Sequence, residues 1–519
     1  MLRSSVAGTM VFAGSISGSP KASPKQQGRT PVSVVQARGG WLKRRFIFDL
    51  LFGLLALVLV FASGRVYSGF VQDDAYITYR YARNIASGAG FVYNDGEPVL
   101  GTSTPLYALS LALLSKVTGL TVPDVGTLAW LASLWLAGIA LYHAGLPAGR
   151  PFSALVALLF LTSPLLGQMV GMESAFLLAL LLLATWALSR GRLFLASILI
   201  GALVLTRYEM LLFAVVLAAY QWFAFRRSPV WLAPAAAILS IWFVYAVFTF
   251  GSPIPLSATA KLVTLRDPFA VGFLFYMYLT RSAIGWVAAH TFTFLVGVFF
   301  LLLRRDAPAP YALLLVWGAA YFTVAAAVAG SFPWYYAPLL PAVAIATTYG
   351  ARYISSVPLS RASGGSPPDG TSAGRTALFI LIGLLLLAGN LASWAQNWSD
   401  YGGGVRDHRF EAYRDISAWL LDHMHPGDSL AAAEIGYIGY FTDAQILDLY
   451  GLVTPGVHAW LPMGLEATTS RAIEAYAPDY VLIDASGAPP EAFGVTSDYT
   501  LAATFDIQYL VYVRNRPLE

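Results

Sequence analysis

Val71-Gln72-Asp73-Asp74-Ala75-Tyr76-Ile77-Thr78-Tyr79-Arg80-Tyr81 follows directly on an apolar segment, Phe46 to Ala62. With its glycine-flanked end, that segment is long enough to cross a bilayer. Two adjacent carboxylates at the mouth of a span are costly to hold near hydrocarbon, so their presence needs a reason. Asp is a favoured N-cap, and Ala75 to Ala86 reads as a helix that Gly88 and Gly90 end. A cap needs only one acid. Successive residues on a helix point about 100° apart, so when one acid caps, the other can face a cavity.

Outward from this stretch, composition sets the class. Hydrophobic residues make up 57% of the chain and charged residues 12%, where roughly 25% charged is usual for soluble proteins. Long apolar runs with few charges mean an α-helical polytopic membrane protein. The chain has no cysteine, which excludes disulfides and thiolate ligands. Its net charge of +4 does not argue for nucleic acid, because Lys and Arg fall in short clusters between apolar runs, where topology signals belong.

Residues 1–40, rich in Ser, Gly, Pro, Lys and Gln, read as a disordered cytosolic tail. Lys43-Arg44-Arg45 then holds the start of the first span inside. A signal peptide cleaved near Ala62-Ser63-Gly64 is the alternative; either way Asp73 and Asp74 come to lie outside. Arg150, Arg190 with Arg192, Arg226-Arg227, Arg304-Arg305, and Arg352 with Arg361 and Arg375 belong to the cytoplasmic side, each interval holding a two-helix hairpin. Thr104 to Lys116 is too short to cross and reads as interfacial or re-entrant. The spans drawn are 46–64, 124–144, 152–170, 174–189, 193–206, 208–225, 229–250, 284–303, 309–329, 335–354 and 376–394. They give about eleven crossings in a transmembrane domain over 41–394, with an external loop at 65–123 and a cytosolic linker at 356–375.

This topology gathers the polar residues on one side. Asp73, Asp74, Glu97, Glu173, Arg207, Glu209, Lys261, Arg266, Arg281 and the turn Phe332-Pro333-Trp334-Tyr335-Tyr336 all fall outside. Between Arg192 and Arg226 lie about 33 residues, roughly 50 Å as one helix. That suits a hairpin of two short arms with Thr206-Arg207-Tyr208-Glu209 at a sunken tip. Arg207 and Glu209 either satisfy each other there or face a polar cavity. Glu173 either stabilises the start of span 174–189 or joins that cavity. Lys261 is an anion contact or a snorkelling anchor.

From about Gln396 the composition becomes that of a soluble external α/β domain, residues 395–519. Arg409 to Met424 reads as helix, and Ser429–Glu434, Ile446–Leu449, Tyr480–Ile483 and Tyr509–Val513 read as strands. Glu434, Asp443 and Asp448 near strand ends match no metal signature and read as structural.

The external acid pair, the Tyr/Arg-rich helix after it, Gly88-Ala89-Gly90-Phe91-Val92-Tyr93-Asn94-Asp95-Gly96-Glu97 and Gly101-Thr102-Ser103-Thr104-Pro105-Leu106 together resemble the GT-C superfamily of polytopic glycosyltransferases. The likeness is to the bacterial polyprenyl-phosphate-sugar-dependent arabinofuranosyl- and mannosyltransferases. It extends more weakly to Gly171-Met172-Glu173, Thr206 to Glu209 and Pro253 to Lys261. The resemblance implies transfer of a monosaccharide from a polyprenyl-phosphate donor to a hydroxyl of a glycan, lipid or protein. The reaction would belong to cell-envelope assembly on the extracytoplasmic face of a bacterial plasma membrane. Asp73 is then the general base and Asp74 orients the acceptor or shares a divalent cation, with the two roles open to exchange. Arg207, Lys261 and Arg80 are the candidate phosphate contacts, and Glu173, Glu209 and Tyr335 complete the substrate site. Metal dependence varies among such enzymes, and no dedicated cage is written here. The non-enzymatic alternative is a transporter or flippase for a lipid-linked saccharide, a class that tends to show two related halves; the sequence shows no such repeat.

Overall fold

Each span drawn from the sequence contains a helix in the computed structural model of the chain. The structure describes residues 31–69, 71–264, 284–328, 332–357, 371–400, 409–486, 490–495, 498–506 and 508–515. Contacts divide the chain into Met1–Phe52 and Gly53–Glu519; the first is helical from Pro31, ten residues before the expected end of the tail. The helices are α1 (Pro31–Val66), α2 (Asp73–Ser87), α3 (Pro105–Thr118), α4 (Val122–Gly145), α5 (Arg150–Leu161), α6 (Ser174–Ser189) and α7 (Leu193–Thr206). There follow α8 (Leu211–Phe225), α9 (Ala233–Phe250), α10 (Leu256–Thr264), α11 (Ile284–Arg304), α12 (Ala309–Val328), α13 (Leu340–Ser356) and α14 (Thr371–Asp400).

Among the described residues six stretches are long and apolar enough to cross a membrane: Arg44–Val66, Val122–Ala148, Tyr208–Phe225, Pro229–Phe250, Trp286–Arg304 and Ala373–Ser399. Phe248, Leu302 and Leu384 stand exposed on them, a placement stable only against lipid. The chain is a membrane protein. Helices α5 and α6 are apolar but shorter, and buried on nearly all sides, so they form the interior. Two short helices stand where the hairpin between Arg192 and Arg226 was expected: α7 ends at Arg207, which is extended (φ −154°, ψ 125°), and α8 starts at Leu211.

Helices α11 and α13 cross at two glycines. A Cβ on Gly297 would fall on the carbonyl oxygen of Ala346, and one on Gly350 on that of Thr293. Small residues at such crossings let backbones meet, which is how helices associate in lipid. Gly297→Ala or Gly350→Ala is expected to destabilise by about 1–3 kcal/mol or more, seen as a lower thermal midpoint in detergent. Gly374→Ala, where a Cβ meets nothing, should leave it unchanged.

The C-terminal part opens with α15 (Arg409–His423), then β1 (Ser429–Ala432), α16 (Gly436–Thr442), β2 (Gln445–Asp448), α17 (Leu465–Tyr476), β3 (Tyr480–Asp484), β4 (Tyr499–Phe505) and β5 (Tyr509–Arg514). The sheet order is β2-β1-β3-β5-β4. β1 is parallel to β2 and β3, and β5 is antiparallel to β3 and β4. Alternation sorts the strand residues into two layers. Ala431, Val481 and Ile483 pack toward Ala472 and Ile473 of α17. Leu430, Ala432, Leu482 and Val511 share a core with α15, with Ile77 and Tyr81 of α2, and with Trp242 of α9. That second core runs without interruption from the helical part into the sheet.

Four of the five strands lie where expected. β4 was hidden because its small, largely exposed edge residues carry little alternation. Asp448 ends β2 fully buried, its carboxylate accepting the N–H groups of Tyr450 (2.9 Å), Leu452 and Val453 (2.9 Å). Burial outweighs these donors and pushes its carboxyl up to about 7. With the folded pKa above the unfolded one, Asp448's favourable contribution is complete below about pH 4 and lost as pH rises through about 7. The thermal midpoint of the parent should therefore fall relative to Asp448→Asn across that interval; parallel curves would refute the shift.

Candidate active site

Helix α2 is the hub. Gln72 precedes it in extended conformation, and Gly88 ends it at φ 92°, its N–H reaching the carbonyls of Asn84 and Ile85. From Asp73 to Ala82 every residue is buried except Asp74, which is half-buried. The neighbouring acids thus part company, one covered and the other turned to a more open side.

Asp73 is occupied by the sheet domain. Its Oδ2 accepts the N–H of Gly436 (2.8 Å) and its Oδ1 the N–H of Tyr437 (2.7 Å), the first residues of α16. Burial is the largest influence on its carboxyl and pushes it up to about 6, against the pull of both amides; Asp74 adds to the rise and Arg409 opposes it. Two turns along, Arg80 takes the other end of α16. Its Nη1 donates to Gly439 O (2.8 Å), its Nη2 to Ala444 O (2.7 Å) and its Nε to Tyr93 O (2.8 Å), with the guanidinium 4.3 Å over the Tyr93 ring. An acid on the amide end of a short helix and a guanidinium on its carbonyl end both match its partial charges.

This corrects the expectation that Arg80 meets a phosphate: it is buried, and its donors go to main-chain carbonyls. Nor does Asp73 suit a shared cation, since N–H donors face both its oxygens. Among the described residues no group of three or more His, Asp or Glu gathers as metal ligands.

The second set of expected residues converges on Arg207. Its Nη1 pairs with Glu173 (2.7 Å) and its Nε with Glu209 (2.5 Å), while the guanidinium lies 4.7 Å over the Tyr335 ring. The four residues from three distant places do meet. They meet as a closed group, however, in which one buried cation is matched by two carboxylates. Arg207 is thus the centre of an ion triad, the internal pairing that was one of its two expected settings.

Two tyrosines fasten this triad, Tyr79 to α2 and Tyr107 to α3. Tyr79 and Tyr107 both donate to Gly171 O, at 2.9 and 2.8 Å, two residues before Glu173. Gln72 Nε2 donates to Gln168 O (3.1 Å), and Val71 pairs with Val170 in a parallel bridge. Lys261 lies on α10, whose Leu256 N–H bonds Leu100 O (2.8 Å) and whose Thr259 hydroxyl meets His458 Nε2 (3.3 Å). The Lys261 side chain, Arg266 and Arg281 lie outside the described residues.

Sequence reading missed Gly436, Gly439 and Asn94. A Cβ on Gly436 would lie 2.6 Å from Asp73 Oδ2, and one on Gly439 3.0 Å from Arg80 Nη1. The signal available was the three-residue spacing of Gly436-Tyr437-Ile438-Gly439, which puts both glycines on one helix face. Asn94 pairs like a strand: its Nδ2 donates to Ile446 O (2.9 Å) and its Oδ1 accepts Ile446 N–H (3.1 Å).

The whole arrangement, helices and sheet together, has a counterpart among solved structures. ArnT from Cupriavidus metallidurans, in its crystal structure bound to undecaprenyl phosphate, superposes with a TM-score of 0.60 at 14% identity, over 91% of this chain and 98% of that one. The apo crystal structure of the same protein gives 0.56 at 14% identity, over 92% and 98%. The chain has a GT-C-like fold. Residues 399–517, most of the sheet domain, match a family described as a domain of unknown function (DUF8728). A search of curated proteins finds no match.

Proposed function

We propose that this chain is a membrane glycosyltransferase that moves a monosaccharide from a polyprenyl-phosphate donor to a hydroxyl acceptor on the extracytoplasmic side of a bacterial plasma membrane. The observation that carries the reading is the divergence of the acid pair at the head of α2, within a fold shared with a protein crystallised with undecaprenyl phosphate. Of the two role assignments open from the sequence, the geometry favours the exchanged one. Asp73 is buried and engaged at both oxygens, whereas Asp74 is the accessible member.

In this mechanism Asp74 takes the proton of the acceptor hydroxyl as that oxygen bonds to the anomeric carbon. The bond from that carbon to the phosphate oxygen breaks, and its electron pair leaves with the phosphate. Phosphate is already a good leaving group and needs no general acid. Attack from the side opposite the departing oxygen inverts the anomeric centre. With Arg80 and Arg207 otherwise engaged, Lys261 is the cation assigned to the departing charge. Membranes carrying the chain are expected to transfer label from one of a panel of radiolabelled polyprenyl-phosphate pentoses and hexoses. No transfer from any of them would sink the reading. Because the chain has no cysteine, Asp484→Cys reports orientation: an impermeant thiol reagent should label it in intact cells.

A further inference from the structure

The sheet domain touches α2 at more places than a tethered accessory would. Gly436 and Tyr437 hold Asp73, Gly439 and Ala444 hold Arg80, and Tyr440 O accepts Arg83 Nη1 (2.6 Å) while Asp443 pairs with the same guanidinium. Tyr93 donates to Ile435 O (2.6 Å) from the loop after α2. Domains that move independently meet through small, polar interfaces; here a single apolar core joins the two parts. The two glycines of α16 are required by the approach itself, since a side chain at either would strike Asp73 or the Tyr93 and Arg80 side chains.

We propose that the domain over residues 399–517 is a positioning module: by holding Asp73 and Arg80 it fixes the first two turns of α2, and with them the orientation of Asp74 toward the acceptor. The proposal rests on the assignment of Asp74 made above. Gly436 and Gly439 are then positioning residues, acting through α2 and not on substrate.

The test uses the purified full chain in lipid nanodiscs, as parent, Gly436→Ala and Gly439→Ala. The second variant is the milder, because its obstacles are the ends of two side chains and not main chain. Amide hydrogen exchange over residues 71–87 should quicken roughly tenfold or more, with 479–484 and 509–514 as protected as in the parent. Unchanged exchange over 71–87 in both variants overturns the proposal whatever transfer does. In the transfer assay kcat should fall by about 100-fold with the donor KM kept. A loosened α2 with parental kcat would reduce the contact to scaffolding and also overturn the proposal. A parent that moves no sugar from any donor defeats the transferase reading, and exchange alone then decides whether the domain holds α2.

Discussion

Asp74→Asn is expected to lower sugar transfer by about 10²–10⁴-fold, the usual contribution of a general base, while the chain remains folded. Asn keeps the size and polarity of the side chain but cannot accept the acceptor's proton at neutral pH. Because Asp74 is only half-buried and Asn matches it in size, the thermal midpoint should stay near that of the parent. Asp73→Asn should differ in kind. Its new amide would turn a donor toward the N–H of Gly436 or Tyr437, leaving a buried polar group unmatched at a cost of about 1–3 kcal/mol. That variant should therefore lose both activity and thermal stability. Initial rates with the active donor, measured beside thermal midpoints in one detergent, separate the two. Parental rates in Asp74→Asn would return the base to Asp73 or remove it from the pair.

Arg207→Ala should have the largest effect on stability. The Arg207 and Glu173 side chains are only 8% and 6% exposed, so removing the cation strands a buried carboxylate, Glu173, beside Glu209. Breaking a buried pair from one side costs about 3–5 kcal/mol, enough to take much of a domain's net stability. Little monodisperse protein should be recovered on size exclusion. Arg207→Lys should rescue poorly, because one ammonium cannot reproduce a fork that meets two carboxylates. Glu173→Gln combined with Arg207→Met should do less harm than Arg207→Ala, since the buried carboxylate is then neutral and the charge left over is that of Glu209, whose side chain is 34% exposed. Should Arg207→Ala instead be recovered at parental yield and midpoint with weakened donor binding, the triad would be a phosphate site after all.

Residues whose role follows from periodicity were legible early. The breaks at Arg207 and Gly88, the short helices on either side of Arg207, and strands β1, β2, β3 and β5 follow from apolar runs, charge placement and turn residues. The convergence of Glu173, Arg207, Glu209 and Tyr335 was foreseeable as a meeting on one side. Its consequence was not, because charge matching depends on which atoms come within about 3 Å. Arg80 and Asp73 were read as chemistry because a charge near a membrane demands a partner. Most of their partners are main-chain groups more than 350 positions away, and main-chain groups leave no mark in the sequence. Only the glycines that make room for the approach do.

Taken by itself, the order of residues determined that this chain lives in a bilayer, that a helix lies within each span drawn, and that a sheet domain follows them, because hydrophobicity, period and turn chemistry act locally. Tertiary structure alone decided which aspartate is covered and which is half-buried, that one arginine is balanced by two acids, and that the sheet domain grips helix α2. Those are facts of proximity between distant segments, set by packing and hydrogen bonds that no local pattern encodes.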